Sequence, residues 1–321
     1  MAKNSNLHAA KAAKNDEFYT QITDIEKELS NYKDFFKGKV VYCNCDDARE
    51  SNFFKYFSKN FEFLGLKKLI TTGYKAEGKG VVLVYEGDKN GNRKVEDNEI
   101  VVRQLEGSGD FRSEECIEFL KEADVVVTNP PFSLFREYVR QLMDYGKKFL
   151  VIGSMNAITY KEIFPYIKNN ELWLGVSMNG ANRWFYAPDN YEVKENAAGY
   201  KVEDGRKMFF VNGVVWFTNI SNEKRNKKLD LFRRYSNEYP KYDNYDAIEV
   251  SRVENIPMDY DGIMGVPISF LHKYNPEQFE IVGLMSGAKG ENLTNGNDGR
   301  AKFYVGGKGV YARILIKKVF A

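Results

Sequence analysis

The sequence predicts an α/β protein built on a mostly parallel sheet with helices on both faces, closed by an antiparallel finish. Three observations carry this. Strand-like and helix-like runs alternate from Lys39 to Ser154, as crossover units require. Beyond Thr159 strand-like runs follow one another instead, as antiparallel pairing would have them. The chain has 321 residues and is 43% hydrophobic, enough for a sizeable core.

The first segment, "MAKNSNLHAAKAAK", is short and polar. In "DEFYTQITDIEKELSNYKDFF", Ile22, Ile25, Leu29 and Tyr32 recur at near-helical spacing, so a helix is expected with Thr20 or Thr23 near its start and Gly38 after its end. "KVVYCNC" reads as a strand, "DDARESNFFKYFSKNFEFLG" as a loop and a helix ending at Gly65, and "LKKLITTG" as a strand. Two β-rich runs flank "DKNGN", a hairpin signal. Helix "RSEECIEFLKEA", strand "DVVVTN", helix "FSLFREYVRQLMDYG" and strand "KKFLVIGS" follow. The later runs "ELWLGVS", "NRWFYAP" and "KMFFVNGVVWFTNI", the last with an Asn-Gly turn, are expected to finish the same sheet. Composition and periodicity shift near Asn222, which divides the chain into residues 1–221 and 222–321.

Several classes are excluded at the outset. No apolar run approaches the length of a membrane span, and the polar start is no signal peptide, so a cytoplasmic protein is expected. Three cysteines and two histidines are too few and too scattered for a disulfide framework or a common zinc site, and no metal is expected. Cys43 and Cys45 share one face of a strand and are read as packing residues. The net charge is only +2, yet its sign is segregated. From Gly299 onward there are Arg300, Lys302, Lys308, Arg313, Lys317 and Lys318 and no acidic residue, and "NEKRNKKLDLFRRY" is also basic-rich. One face meeting a polyanion would show this pattern, as would solvated surfaces that happen to cluster.

The stretch "ADVVVTNPPFS", Ala123 to Ser133, carries the chemistry. In a parallel α/β sheet, ligands bind outside the carboxyl ends of strands, and Asn129 to Phe132 falls at such an end. The Asn129 carboxamide oxygen and the Pro130 carbonyl can accept both hydrogens of one amino group, and Pro130 and Pro131 hold those acceptors with little entropy left to lose. Phe132 offers a ring to stack on the planar system bearing that amine. A conjugated amine is a poor nucleophile because its lone pair is delocalised; two acceptors on its hydrogens favour the form in which the pair is available. The electrophile implied is the activated methyl of S-adenosylmethionine. The bland alternative is a helix whose first turn contains prolines. A given four-residue string of this kind arises by chance in on the order of one chain in a thousand.

Other residues could serve the methyl donor. The first strand lacks G-x-G-x-x-G, so dinucleotide binding is unsupported. Asn44, Asp46 and Asp47 could accept from the donor's amino-acid moiety, or simply cap the following helix. In "GSGDFRSEE", Asp110 could accept from the donor adenine and Phe111 pack on it, or Ser113 or Asp110 could cap a helix. Phe18, Tyr19 and Thr20 of "EFYTQ" could approach the sulfonium, or form an N-terminal hydrophobic staple.

"NDEFYTQ", "CNCDDARESNFFKYF", "DVVVTNPPF" and "GVPISFLHKYNPEQFEIVG", in this order, resemble the EcoRI family of adenine-specific DNA methyltransferases over nearly the whole chain. The resemblance implies a class I S-adenosylmethionine-dependent methyltransferase fold and methyl transfer to the exocyclic amine of adenine in double-stranded DNA. It implies Asn129, Pro130, Pro131 and Phe132 as the catalytic motif, Phe18 to Thr20 as a cofactor motif, and Asp110 and Phe111 near the donor adenine. The second strand ends in "LITTGY", without the acidic residue that usually holds the ribose. A target base must be flipped out of the duplex and stacked between aromatics, Phe132 forming one wall and Trp184 or Phe185 the other. The basic stretches Lys224 to Arg234 and Arg300 to Lys318 would hold phosphates, and "SGAKGENLTNGNDGR" would read bases. NPPF alone would also fit an RNA, cytosine or protein-glutamine amine, and a non-catalytic DNA-binding protein could retain the same fold.

Overall fold

The computed structural model describes residues 20–44, 47–48, 50–180, 183–186, 199–285 and 303–319. Phe18, Tyr19, Cys45, Asp46, Lys302 and the polar sequence 286–300 lie outside them. The chain forms two compact units, Met1–Met155 with Gly175–Ile220 and Asn156–Leu174 with Ser221–Ala321. The excursion 156–174 interrupts the first unit between two of its strands.

In chain order the first unit begins with α1 (Ile22–Leu29), β1 (Val40–Cys43), α2 (Asn52–Lys59), α3 (Phe61–Leu64) and β2 (Lys68–Gly73). It continues with β3 (Val81–Tyr85), β4 (Ile100–Gln104), α4 (Glu114–Glu122), β5 (Val125–Thr128), α5 (Phe135–Asp144) and β6 (Lys148–Ser154). The second unit contributes α6 (Phe164–Lys168) and β7 (Trp173–Leu174) before the first resumes with β8 (Arg183–Tyr186), β9 (Tyr200–Glu203), β10 (Arg206–Val211) and β11 (Val214–Thr218). Gly65 ends α3 in the left-handed conformation, φ +62°, where glycine carries no Cβ penalty.

Seven strands of the first unit lie in one sheet in the order β4-β3-β2-β1-β5-β6-β11. The pairs β2-β1, β1-β5 and β5-β6 are parallel. Their residues are almost wholly buried, as a sheet covered on both faces demands. This doubly wound core is that of the class I methyltransferase fold. Both flanks are antiparallel: β3 pairs with β2 and β4, the hairpin that "DKNGN" signals, and β11 pairs with β6.

The expected antiparallel finish is only partly in this sheet. Of the first unit's strands in these runs, β8, β10 and β9 form a separate three-stranded sheet, and β11 joins the main one. The Asn212-Gly213 turn, φ +66° at Gly213, therefore hands the chain from one sheet to the other instead of closing a hairpin.

Two close contacts fix this unit. Gly153 of β6 meets the Phe135 ring so closely that a Cβ would sit 2.5 Å from it, which lets α5 lie flat on the sheet. The fully buried Glu28 of α1 accepts from the backbone amides of Val176 (2.8 Å) and Ser177 (2.7 Å) and from the Tyr32 hydroxyl (3.0 Å). Gly175 makes that approach possible, since a Cβ there would lie 2.3 Å from Glu28 Oε1 and 2.6 Å from the Trp216 Cβ.

The second unit carries a four-stranded sheet in the order β12 (Ile248–Glu249), β13 (Met264–Pro267), β17 (Arg313–Lys318) and β14 (Phe279–Met285). A small ribbon pairs β15 (Tyr304–Val305) with β16 (Lys308–Gly309). Arg313 is not available to phosphates as expected. Its guanidinium donates to Glu249 at 2.6 and 3.0 Å, and the Tyr242 hydroxyl donates to the same carboxylate. Both charges of the pair are largely buried, so each needs the other.

His272, in the turn before β14, is mostly buried, and neither ring nitrogen has a hydrogen-bond partner among the described residues. Burial pushes its imidazole down to about 4. The folded protein then refuses a proton that the unfolded chain accepts near pH 6.5, so stability falls as pH drops from about 6.5 to about 4. Denaturant midpoints at pH 7 and pH 5 should differ less in His272→Phe than in the wild type.

Candidate active site

The order of the parallel strands reverses between β1 and β5, and a crevice forms outside the carboxyl ends of neighbouring strands at such a point. Asn44 follows β1 and Asn129 follows β5. The Thr128 hydroxyl donates to the Asn44 carbonyl, so the two strand ends are tied side by side.

Asn129, Pro130 and Pro131 are buried, whereas Phe132 is half-buried and rests on the core with part of its ring accessible. The prolines do not occupy the first turn of a helix. α5 begins at Phe135, capped by Leu134, whose amide donates to the Pro131 carbonyl at 3.0 Å. Asn129–Phe132 is thus a connection with its own fixed shape.

Tyr138 of α5 joins three of the sequence-predicted segments. Its hydroxyl donates to the Asn44 side-chain oxygen, and its ring meets that of Phe111 edge-on at 5.0 Å. Gln141, one turn further along α5, donates to the Phe111 carbonyl at 3.3 Å. Sequence reasoning missed Tyr138 and Thr128. Tyr138 lies on the apolar face of α5, where an aromatic reads as core; the available signal was its hydroxyl, since a buried tyrosine needs a partner.

The "GSGDF" turn reaches the site by backbone contact. Gly109, φ +83°, approaches the Gly73 carbonyl at the end of β2 so closely that a Cβ would lie 2.5 Å from it. Ser113 caps α4 by accepting from the Cys116 amide at 3.3 Å, which leaves Asp110 free of that task. Asp110 instead accepts from the Arg112 guanidinium at 2.6 and 2.8 Å, and this holds its carboxyl below the usual carboxylate range. Phe111 is buried, so its ring already serves the core against Tyr138.

At the first-strand turn the cap of α2 is Ser51, which accepts from Phe53 and Phe54, not one of the acidic residues. Asp47 is exposed and accepts from the Glu50 amide at 3.3 Å. Thr20 is buried; its carbonyl accepts from Asn52 at 2.7 Å, and its hydroxyl has no hydrogen-bond partner among the described residues. Gln21 donates to the Trp184 carbonyl at 2.7 Å, which brings the end of "FYTQ" to "NRWFY". Of the two expected wall residues Phe185 is core, whereas Trp184 is partly exposed, with Lys201 Nζ 4.8 Å from its ring centroid.

Asn44, Phe111 and Asn129 therefore converge through Thr128 and Tyr138, while Phe18, Tyr19 and Asp46 lie outside the described residues. The arrangement offers a fixed, buried carboxamide with an aromatic face beside it at a strand-order reversal.

Comparison with known proteins agrees with this geometry. A family model described as "Adenine-specific methyltransferase EcoRI" matches residues 6–319. The type II methyltransferase M.EcoRI of Escherichia coli is 48% identical to this chain, over 98% of this chain and 97% of that protein. M.MpnI of Mycoplasma pneumoniae is 39% identical, over 97% of this chain and 98% of that protein; M.MgeORF184P of Mycoplasma genitalium is 38% identical, with the same shares covered. With the family model spanning nearly the entire sequence and the motif after β5 intact, this chain belongs to the EcoRI family of adenine-specific methyltransferases.

Proposed function

We propose that this enzyme transfers a methyl group from S-adenosylmethionine to the exocyclic 6-amino group of an adenine flipped out of duplex DNA, with Asn129–Phe132 as the catalytic motif. The observation that carries the reading is the placement of this motif after β5, at the strand-order reversal, with Phe132 half-buried and both prolines ahead of α5. The family and its type II relatives support DNA as the substrate. With DNA as substrate, the enzyme belongs in the cytoplasm.

The residues present fit the methyl donor. Thr20 presents a buried hydroxyl without a hydrogen-bond partner among the described residues, and Asp47 an exposed carboxylate. Thr20, Asn44 and Asp47 would hold the amino-acid end, and Asp110 and Phe111 the adenine end; Phe18 and Tyr19 complete the set on the family resemblance, and Asp46 on the acidic sequence that follows β1. When bound, the donor supplies an electrophilic sulfonium methyl.

The chain's own residues do the rest. Asn129 Oδ1 and the Pro130 carbonyl accept the two amine hydrogens and localise the nitrogen lone pair. The prolines keep those acceptors fixed, so little reorganisation is needed at the moment of reaction. Phe132 and Trp184 stack the flipped base. The alkylated nitrogen is strongly acidic and loses its proton through the same acceptors to water, so no histidine base is required. The residues of the second unit would hold the duplex, with Lys227, Lys228, Arg233 and Arg234 exposed for phosphates.

Transfer of labelled methyl to unmodified duplex DNA, RNA and protein, followed by nucleoside analysis, tests the proposal. N6-methyladenine in duplex DNA is expected, and Asn129→Ala should lower the rate by roughly a thousandfold, the scale of losing one preorganised polar group. Methylcytosine, or transfer only to RNA or protein, would refute it. Tyr138→Phe leaves the Asn44 oxygen without its donor, a loss of about 1–3 kcal/mol. It should lower the melting temperature and also shrink the thermal shift produced by S-adenosylmethionine. An unchanged shift would separate Tyr138 from the donor site.

A further inference from the structure

The second unit displays a large aromatic side chain to solvent. Phe232 is 81% exposed, in the segment "KKLDLFRR", Lys227 to Arg234. A phenylalanine is ordinarily worth burying, and one left in water on a loose loop would be unremarkable. This segment is not loose. Gln278 clamps it at Leu229, accepting from the amide and donating to the carbonyl, both at 2.7 Å. The Arg233 carbonyl accepts from the Met258 amide at 2.8 Å, and the Tyr235 amide donates to Asp259 at 2.6 Å. Behind it the Tyr235 ring packs on Tyr260 at 4.6 Å and on Tyr239 at 5.8 Å. The backbone is pinned on both sides of Phe232, so its ring is held out toward solvent.

The charges around it select a partner. Lys227, Lys228, Arg233 and Arg234 are all exposed, against the single carboxylate of Asp230 within the segment. Arg234 approaches Asp259 only at 3.9 Å and keeps 81% of its side chain in solvent. Arg233 and Arg234 also line a cleft of about 370 Å³ with Ser236, Tyr239 and the carboxylates of Glu238 and Glu249, the latter already paired with Arg313. An apolar ring flanked by arginines matches a duplex, whose phosphates repeat along both edges of a stack of apolar base faces.

We propose that Phe232 is a wedge that inserts between base pairs of the bound duplex, while Arg233 and Arg234 hold the adjoining phosphates. This rests on the reading of the chain as a methyltransferase of duplex DNA. Insertion of a ring separates stacked bases and lowers the cost of extruding one of them, so Phe232 is a positioning residue and not a catalytic one.

The test compares wild type, Phe232→Ala and Phe232→Leu with Phe63→Ala, an exposed phenylalanine (72%) of the first unit, as control. Single-turnover methylation is measured on a duplex carrying the site mapped from the methylated product. It is measured again on the same duplex with an abasic position opposite the target adenine, where little pairing remains to be broken. Phe232→Ala should be slower by about tenfold or more on the paired duplex, and within about threefold of wild type on the abasic one. Phe232→Leu should recover most of the paired-duplex rate, Phe63→Ala should match wild type, and 2-aminopurine at the target should brighten less with Phe232→Ala. Equal rates for Phe232→Ala and wild type on the paired duplex would overturn the wedge. So would an equal loss on both duplexes, which would assign Phe232 to folding or general affinity. So would a concentration-dependent dimer of the wild type that Phe232→Ala abolishes with methylation intact, which would make the residue a contact between copies. Absence of DNA methylation by the wild type would be the separate failure of the underlying reading.

Discussion

The hydrogen bond from Thr128 to the Asn44 carbonyl is the constraint on which the first unit's chemistry depends. Neighbouring parallel strands can diverge where their ladder stops, and each chain then leaves in its own direction. Here the last residue of β5 is fastened to the first residue beyond β1, and Tyr138 fastens the same asparagine to α5. The motif between Thr128 and α5 is thereby enclosed by its own supports. Two hydroxyls and one asparagine convert a strand end into a rigid platform, and a buried polar cluster of this kind rewards completeness: each member left unpaired costs more than each bond made contributes.

A second buried polar group secures the place where the chain returns from its excursion. Glu28 would be costly as an unsatisfied carboxylate in the core, but amides from Val176 and Ser177 and the Tyr32 hydroxyl surround it. The donors come from the residues at which the first unit resumes, and the bare Gly175 admits them. α1 therefore does more than cover the sheet; it locates the re-entry of the chain.

Much of this was legible. The alternation of strand and helix, the stop at Gly65 and the hairpin around "DKNGN" are local signals, and local signals survive into the structure. Long-range choices were not. Asn212-Gly213 announces a turn but not that its two flanking strands belong to different sheets, because pairing partners are decided by burial elsewhere. Nothing in the composition of residues 156–174 marks them as part of the second unit. At the site, the segments bearing Asn44, Phe111 and Asn129 stood out by unusual residues at strand ends. Tyr138 and Thr128 did not, because a tyrosine on an apolar helix face and a threonine in a strand are ordinary until their partners are known. The assignment of helix capping to Ser51 and Ser113 likewise depends on distances that a sequence does not contain.

The interrupted layout of the two units bears on how the protein comes to be. During synthesis β6 emerges well before β11, the strand that must lie beside it, and residues 156–174 emerge between them although their partners begin only at Ser221. At ordinary elongation rates each gap lasts seconds, far longer than local helices and hairpins need to form. One flank of β6 therefore stands unpaired for that time, and neither unit can complete its core until most of the chain has left the ribosome. Truncation anywhere before β11 therefore leaves both units incomplete, a different outcome from that of two domains strung end to end.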